Sequence, residues 1–153
     1  MPSLTECLET DHRRLDAILL QCKSLASAGG FAAAADRFVT FADGLSRHID
    51  AEEDVLFPAL QEHAPHAMGP VHVMRSEHAQ LRELLVLIAA ALSASDSAWQ
   101  PRVQALEDIL KAHNMKEERV LYPMADEAAG EAPDAGELQA RLTGVLEGRV
   151  HPR

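Results

Sequence analysis

Aromatic residues are scarce in this chain: one Trp, one Tyr and four Phe, 4% of 153 residues. Strands draw on aromatic and β-branched residues, whereas the apolar positions here are mostly Leu and Ala, which favour helix. Long apolar runs are also missing, and none reaches the roughly 18 residues of a membrane span. Basic residues number 14 against 24 acidic ones, for a formal charge of −10. Nucleic acid and anionic membrane both select basic surfaces, so neither is expected as a partner. The two cysteines, Cys7 and Cys22, fall on one expected helix about 22 Å apart, too far for a disulfide. The N-terminus, Met1-Pro2-Ser3-Leu4-Thr5-Glu6, has neither the basic stretch nor the apolar core of a signal peptide. These features predict a cytoplasmic protein with reduced thiols. Its length suits a single domain over 1–153 that buries a core without staples.

What is present is helical periodicity. Ser3 and Glu6 read as a capping box opening a helix over about 4–28, closed by Gly29-Gly30. A second helix is expected from about 31 to 62, kinked or broken near Pro58. A third covers about 70–94. A fourth runs over about 98–127, with Asp96 or Ser97 as N-cap and a break at Gly130 to Pro133. A short fifth helix follows over about 134–147. The pattern predicts an all-α protein: an antiparallel up-down-up-down four-helix bundle over about 4–127 with a C-terminal fifth helix.

An internal repeat stands out. His48-Ile49-Asp50-Ala51-Glu52-Glu53-Asp54-Val55-Leu56-Phe57-Pro58 matches His113-Asn114-Met115-Lys116-Glu117-Glu118-Arg119-Val120-Leu121-Tyr122-Pro123. Upstream, Asp11-His12 with Leu15 echoes Glu77-His78 with Leu81. The chain thus reads as two helical hairpins of one design, each supplying a lone His and then a His-x-x-x-Glu pair. Residues i and i+4 share a helix face, so His48 pairs with Glu52 and His113 with Glu117. All of them interrupt apolar stripes, as in Leu45, His48, Glu52, Leu56 or Leu8, His12, Leu15, Leu19. Buried carboxylates are costly unless paired or metal-bound, and no Lys or Arg shares these stripes. Imidazole with carboxylate suits iron, manganese or zinc, and two carboxylates with four imidazoles suit a dinuclear site. The competing reading makes the histidines core residues hydrogen-bonded to the glutamates.

The order His…His-x-x-x-Glu…His…His-x-x-x-Glu resembles the hemerythrin-like domain family, over residues 4–127. The resemblance implies an antiparallel four-helix bundle holding two iron ions, bridged by two carboxylates and usually an oxo or hydroxo group. The implied ligands are His12, His48, Glu52, His78, His113 and Glu117, with Glu52 and Glu117 bridging and Glu118 as the alternative to Glu117. Oxygen-carrying members place a further histidine where this chain has Arg82. The four-histidine, two-glutamate set is closer to bacterial iron-sulfur-cluster repair and stress-response members. The resemblance therefore implies binding of, or reaction with, dioxygen, nitric oxide or peroxide in oxidative or nitrosative stress or iron homeostasis. Turnover is left open. An iron sensor, carrier or reservoir is the alternative, and a zinc-bound helical interaction module a further one. Either a monomer or a homodimer is compatible.

The remaining candidates carry weaker expectations. His63, His66 and His72 lack carboxylate partners at helical spacing and read as surface residues, and His151 lies in the tail. Phe57 and Tyr122, at matching repeat positions, read as packing residues, with a phenol near iron as the alternative. Glu53 lies about 100° round the helix from Glu52 and is expected to be dispensable for metal.

Overall fold

The computed structural model describes residues 2–131 and 134–149, and every regular element among them is helical. Helix α1 spans Leu4–Ser27. Ser3 caps it as expected, its hydroxyl accepting the Glu6 N–H at 3.0 Å. Gly29 ends it at φ +84°, a left-handed turn that glycine takes without steric cost, and the Gly30 N–H reaches back to the Leu25 carbonyl. Helix α2 spans Phe31–Ala51, a π-helical turn Glu52–Leu56 follows, and α3 covers Phe57–His63. After a 3₁₀ turn at Pro65–Ala67, α4 spans Met68–Ser93. Helix α5 covers Trp99–Lys116, a second π turn covers Glu117–Leu121, and α6 spans Tyr122–Glu131. The last helix, α7, spans Ala135–Leu146.

The kink or break expected near Pro58 takes the form of a widened turn. Pro58 has no N–H and its ring collides with the carbonyl four residues back, so an α-turn cannot close there. The chain adopts i→i+5 bonding, with the Phe57 N–H on the Glu52 carbonyl. Pro123 has the same effect in the second half, where the Tyr122 N–H bonds the Glu117 carbonyl. Each π turn begins at the glutamate of its His-x-x-x-Glu pair.

Two other boundaries differ from expectation. Gly130 does not break the fourth segment, which stays helical to Glu131; Ala132 and Pro133 lie outside the described residues, as does His151. Ala98 takes the N-cap position of α5, while the Asp96 carboxylate accepts the Ala98 N–H at 2.9 Å.

Helix α1 packs on α2, α4 on α5, and α2 on α4. The core has two apolar clusters. One joins Leu15, Leu19, Phe38, Phe41, Leu81 and Leu106. The other joins Leu8, Leu56, Phe57, Val71, Leu121 and Tyr122, and α7 adds Leu138, Leu142 and Val145 to it. Among the described residues the buried polar ones, Asp11, His12, His48, Glu52, His78, His113 and Glu117, form the layer between them. Among the described residues, no helix is long and apolar enough to cross a membrane.

Candidate metal centre

Four helices each deliver one imidazole to this layer: His12 from α1, His48 from α2, His78 from α4 and His113 from α5. The π turns deliver Glu52 and Glu117. The four histidines are at most 4% exposed and both glutamates are fully buried. His12 and His48 face each other with ring centroids 4.5 Å apart, and His78 and His113 with centroids 4.9 Å apart.

The two carboxylates span both pairs. Glu52 Oε2 lies 3.5 Å from His48 Nε2 while Oε1 lies 3.0 Å from His78 Nε2. Glu117 Oε1 lies 3.3 Å from His12 Nε2 and 3.2 Å from His113 Nε2. Two sets of donor atoms result: Glu52, His78, His113 and Glu117 in one, His12, His48 and Glu117 in the other. Within each set all donors lie within 4.8 Å of one another.

Short separations do not mean satisfied hydrogen bonds here. Glu52 Oε1, His78 Nε2 and Glu117 Oε2 are buried without a hydrogen-bond partner. The 3.0 Å contact between His78 and Glu52 therefore lacks hydrogen-bond direction. Buried polar atoms are rarely left unpartnered, because each costs about 1–3 kcal/mol. Nor does an ion pair with Lys or Arg neutralise Glu52 or Glu117 among the described residues. Inward-facing nitrogen and oxygen lone pairs in a dry layer are a donor set that fits divalent metal.

The outer ring nitrogens strengthen that fit. Every Nδ1 sits on a carboxylate: His12 on Glu118 at 2.7 Å, His48 on Asp11 at 2.8 Å, His78 on Glu53 at 2.7 Å and His113 on Glu77 at 2.9 Å. A carboxylate behind Nδ1–H fixes the tautomer that aims the Nε2 lone pair inward, the arrangement typical of metal-ligating histidine. The repeat explains the wiring. The acid preceding each lone histidine serves the second histidine of its own hairpin. The acid following each buried glutamate crosses to the lone histidine of the other hairpin. Glu53 thus reaches His78 Nδ1 although its helical angle turns it away from Glu52. Glu118 faces His12 Nδ1, which leaves Glu117 as the residue aimed at the centre.

The buried carboxylates favour protonation of three of the imidazoles. Burial opposes charge on His48, but Glu52 and the Asp11 hydrogen bond push its pKa up to about 10. His78 is pushed up to about 9 against its burial by Glu52 and Glu53, and His113 is raised, chiefly by Glu117. Glu52 is held well below the carboxylate range, because His48 and further hydrogen bonds outweigh its desolvation.

Tyr122 packs in the second cluster as expected, and its hydroxyl does more. Its ring is fully buried and its hydroxyl enters the centre, donating to Glu52 Oε2 at 2.6 Å and lying 3.0 Å from Glu117 Oε1. Burial beside two carboxylates raises its pKa well above the ordinary phenol value. Phe57, its repeat counterpart, stacks on His78 with centroids 5.9 Å apart and planes 7° from parallel. Arg82 turns outward to Asp50 at 2.8 Å. His63 is half-buried, His66 and His72 are exposed, and none joins either donor set.

The comparisons with known proteins point the same way. The family model of the hemerythrin HHE cation binding domain matches residues 3–125. The chain is 35% identical over 91 residues to the "Iron-sulfur cluster repair protein YtfE" of Escherichia coli O1:K1 / APEC, covering 53% of this chain and 41% of that protein. The protein of the same name from Escherichia fergusonii matches to the same extent. The chain thus spans less than half the length of these curated relatives. No solved structure matches it.

Proposed function

Because this chain belongs to the hemerythrin HHE cation-binding domain family, we propose that it holds two iron ions and binds or reacts with dioxygen, nitric oxide or peroxide. The observation that carries the reading is the pair of buried carboxylates, each spanning two histidine pairs whose Nε2 atoms converge. In this reading His12 and His48 hold one ion, His78 and His113 the other, and Glu52 and Glu117 bridge them. The architecture assumed is one domain, an antiparallel up-down-up-down four-helix bundle with α7 as a fifth helix against its side. The relatives' repair role suggests a setting of oxidative or nitrosative stress in the cytoplasm.

Iron would supply the electron transfer and the binding of the small ligand. The chain's residues do the rest. Four carboxylates orient the imidazoles from behind. Leu and Phe side chains above and below the layer exclude bulk water. A groove of about 710 Å³ has His12 and Glu118 on its wall and brings solvent to the outer edge of the layer. Arg82 brings no fifth imidazole to the centre, which favours reaction over reversible carriage of oxygen.

Protein made in iron-rich medium is expected to contain two irons per chain, and its reduced form to bind nitric oxide on stopped-flow mixing. One zinc and no iron by elemental analysis would overturn the reading in favour of a structural metal module. Two irons with a long-lived, vacuum-reversible oxygen adduct would make the protein a carrier.

A further inference from the structure

We infer that Tyr122 Oη is a further protein ligand, completing the half of the centre held by His12 and His48 and leaving the Phe57 half without an equivalent. The inference rests on the two-metal reading above. Its motive is that the Tyr122 hydroxyl is crowded by donors. Oη lies 2.6 Å from Glu52 Oε2, 3.0 Å from Glu117 Oε1, 3.1 Å from His12 Nε2 and 3.2 Å from His48 Nε2. Ligands at about 2.1 Å from one ion and at right angles to each other are about 3.0 Å apart. Three of the four separations, 3.0 to 3.2 Å, fall at that value, and the fourth, to Glu52 Oε2, is shorter at 2.6 Å.

Hydrogen bonding alone does not account for the cluster in a metal-loaded protein. A phenol has one proton to give. The two carboxylates are acceptors. With each Nδ1–H committed to Glu118 or Asp11, the two Nε2 atoms present lone pairs when they face a metal. Four acceptors would then compete for one proton, and three would be left in close contact with another lone pair. An ion among them turns every one of those contacts into a shared ligand edge. As the oxygen–metal bond forms, the phenolic O–H bond breaks and its proton leaves to solvent. The anionic oxygen remains on the metal and no oxidation is involved.

The backbone is built to deliver this oxygen. Tyr122 follows Glu117 by five residues, and the π turn Glu117–Leu121 makes i and i+5 neighbours. The same turn in the first half delivers Phe57, whose hydrocarbon ring lies flat on His78. The two halves of a duplicated site are therefore chemically unequal. The phenolate half gains a hard anionic donor that favours ferric iron, and the small exogenous ligand is directed to the Phe57 half.

Tyr122 is the only tyrosine in the chain, so any tyrosinate signal belongs to it. The full-length metal-free protein is titrated with zinc and followed by near-ultraviolet difference absorption. The ferric protein is examined by resonance Raman with visible excitation, and metal content is measured throughout. The expected result is a tyrosinate band growing with zinc occupancy and enhanced phenolate modes in the ferric protein, both absent from Tyr122→Phe that still binds iron. Two metals per chain in the wild type with neither signature would overturn the inference. Failure to bind two metals would overturn the proposed function instead. The wild-type spectra decide the question even if the variant does not fold.

Discussion

Each imidazole in the layer is only as well aimed as the carboxylate behind it, and those four acids differ in exposure. Asp11 is nearly buried and also held by Arg14, while Glu77 is shared with Lys116. Glu53 and Glu118 are more open, at 24% and 34%. Removing such an outer carboxylate costs about 10–100-fold in metal affinity, because it frees ring rotation and weakens the donor nitrogen. Glu53→Ala and Glu118→Ala are therefore each expected to weaken iron binding by about 10–100-fold in chelator competition. Glu52→Ala and Glu117→Ala, which remove a donor from both halves, should lose most bound metal outright. Glu53→Ala competing like the wild type would mean His78 needs no support from behind, and the wiring drawn from Nδ1 contacts would fail.

Regular helix was legible at the level of whole elements because its signals are local: Ser3 capping α1, Gly29 ending it, apolar stripes at a 3.6-residue period. The six inward His and Glu positions were legible for the same reason, since i and i+4 share a face whatever follows. The π turns were not. On a regular helix Tyr122 sits about 140° round from Glu117, which points it away from the centre. The extra residue in the turn removes that offset, and Pro58 and Pro123 were its only trace in the sequence. The crossed acids, Glu53 to His78 and Glu118 to His12, also needed the pairing of the two hairpins, which no local pattern encodes. A close approach between elements was equally hidden. Gly44, on α2, lies where a Cβ would come within 2.7 Å of Leu15 Cδ2 on α1. Alanine at a helical glycine gains about 1 kcal/mol in propensity. Overpacking a core costs about 1–3 kcal/mol, and Leu15, buried in the first cluster, has little room to yield. Gly44→Ala is thus expected to lower the melting temperature despite its better propensity. A raised melting temperature would show that the α1–α2 seam relaxes freely.

The whole molecule has to bury a polar layer between two apolar clusters with or without metal, and it does so in two ways with opposite dependence on pH. In the metal-free chain the charge on Glu52 is favoured by the neighbouring His48 and His78. For a group whose pKa is raised on folding, the stabilisation is complete below its ordinary value and fades as pH climbs through the folded value. His48 at about 10 and His78 at about 9 therefore stabilise the metal-free fold fully below their ordinary value of 6.5 and progressively less above it, the contribution ending at about pH 9 for His78 and about pH 10 for His48. Glu52, lowered on folding, contributes above its ordinary value of 4.5 and is lost in acid. On the proposed two-iron reading the same Nε2 atoms become ligands and shed their protons, so metal would compete better as pH rises. The test melts the iron-loaded and the chelated protein side by side. The gap in melting temperature between iron-loaded and chelated protein is expected to widen steadily from about pH 6 to about pH 9, since loading gains while the proton-held form does not. Below the ordinary carboxylate range both forms should fail together. A gap that stayed constant across this range, with metal content verified at each pH, would mean that the buried imidazoles are not the groups exchanging protons for metal.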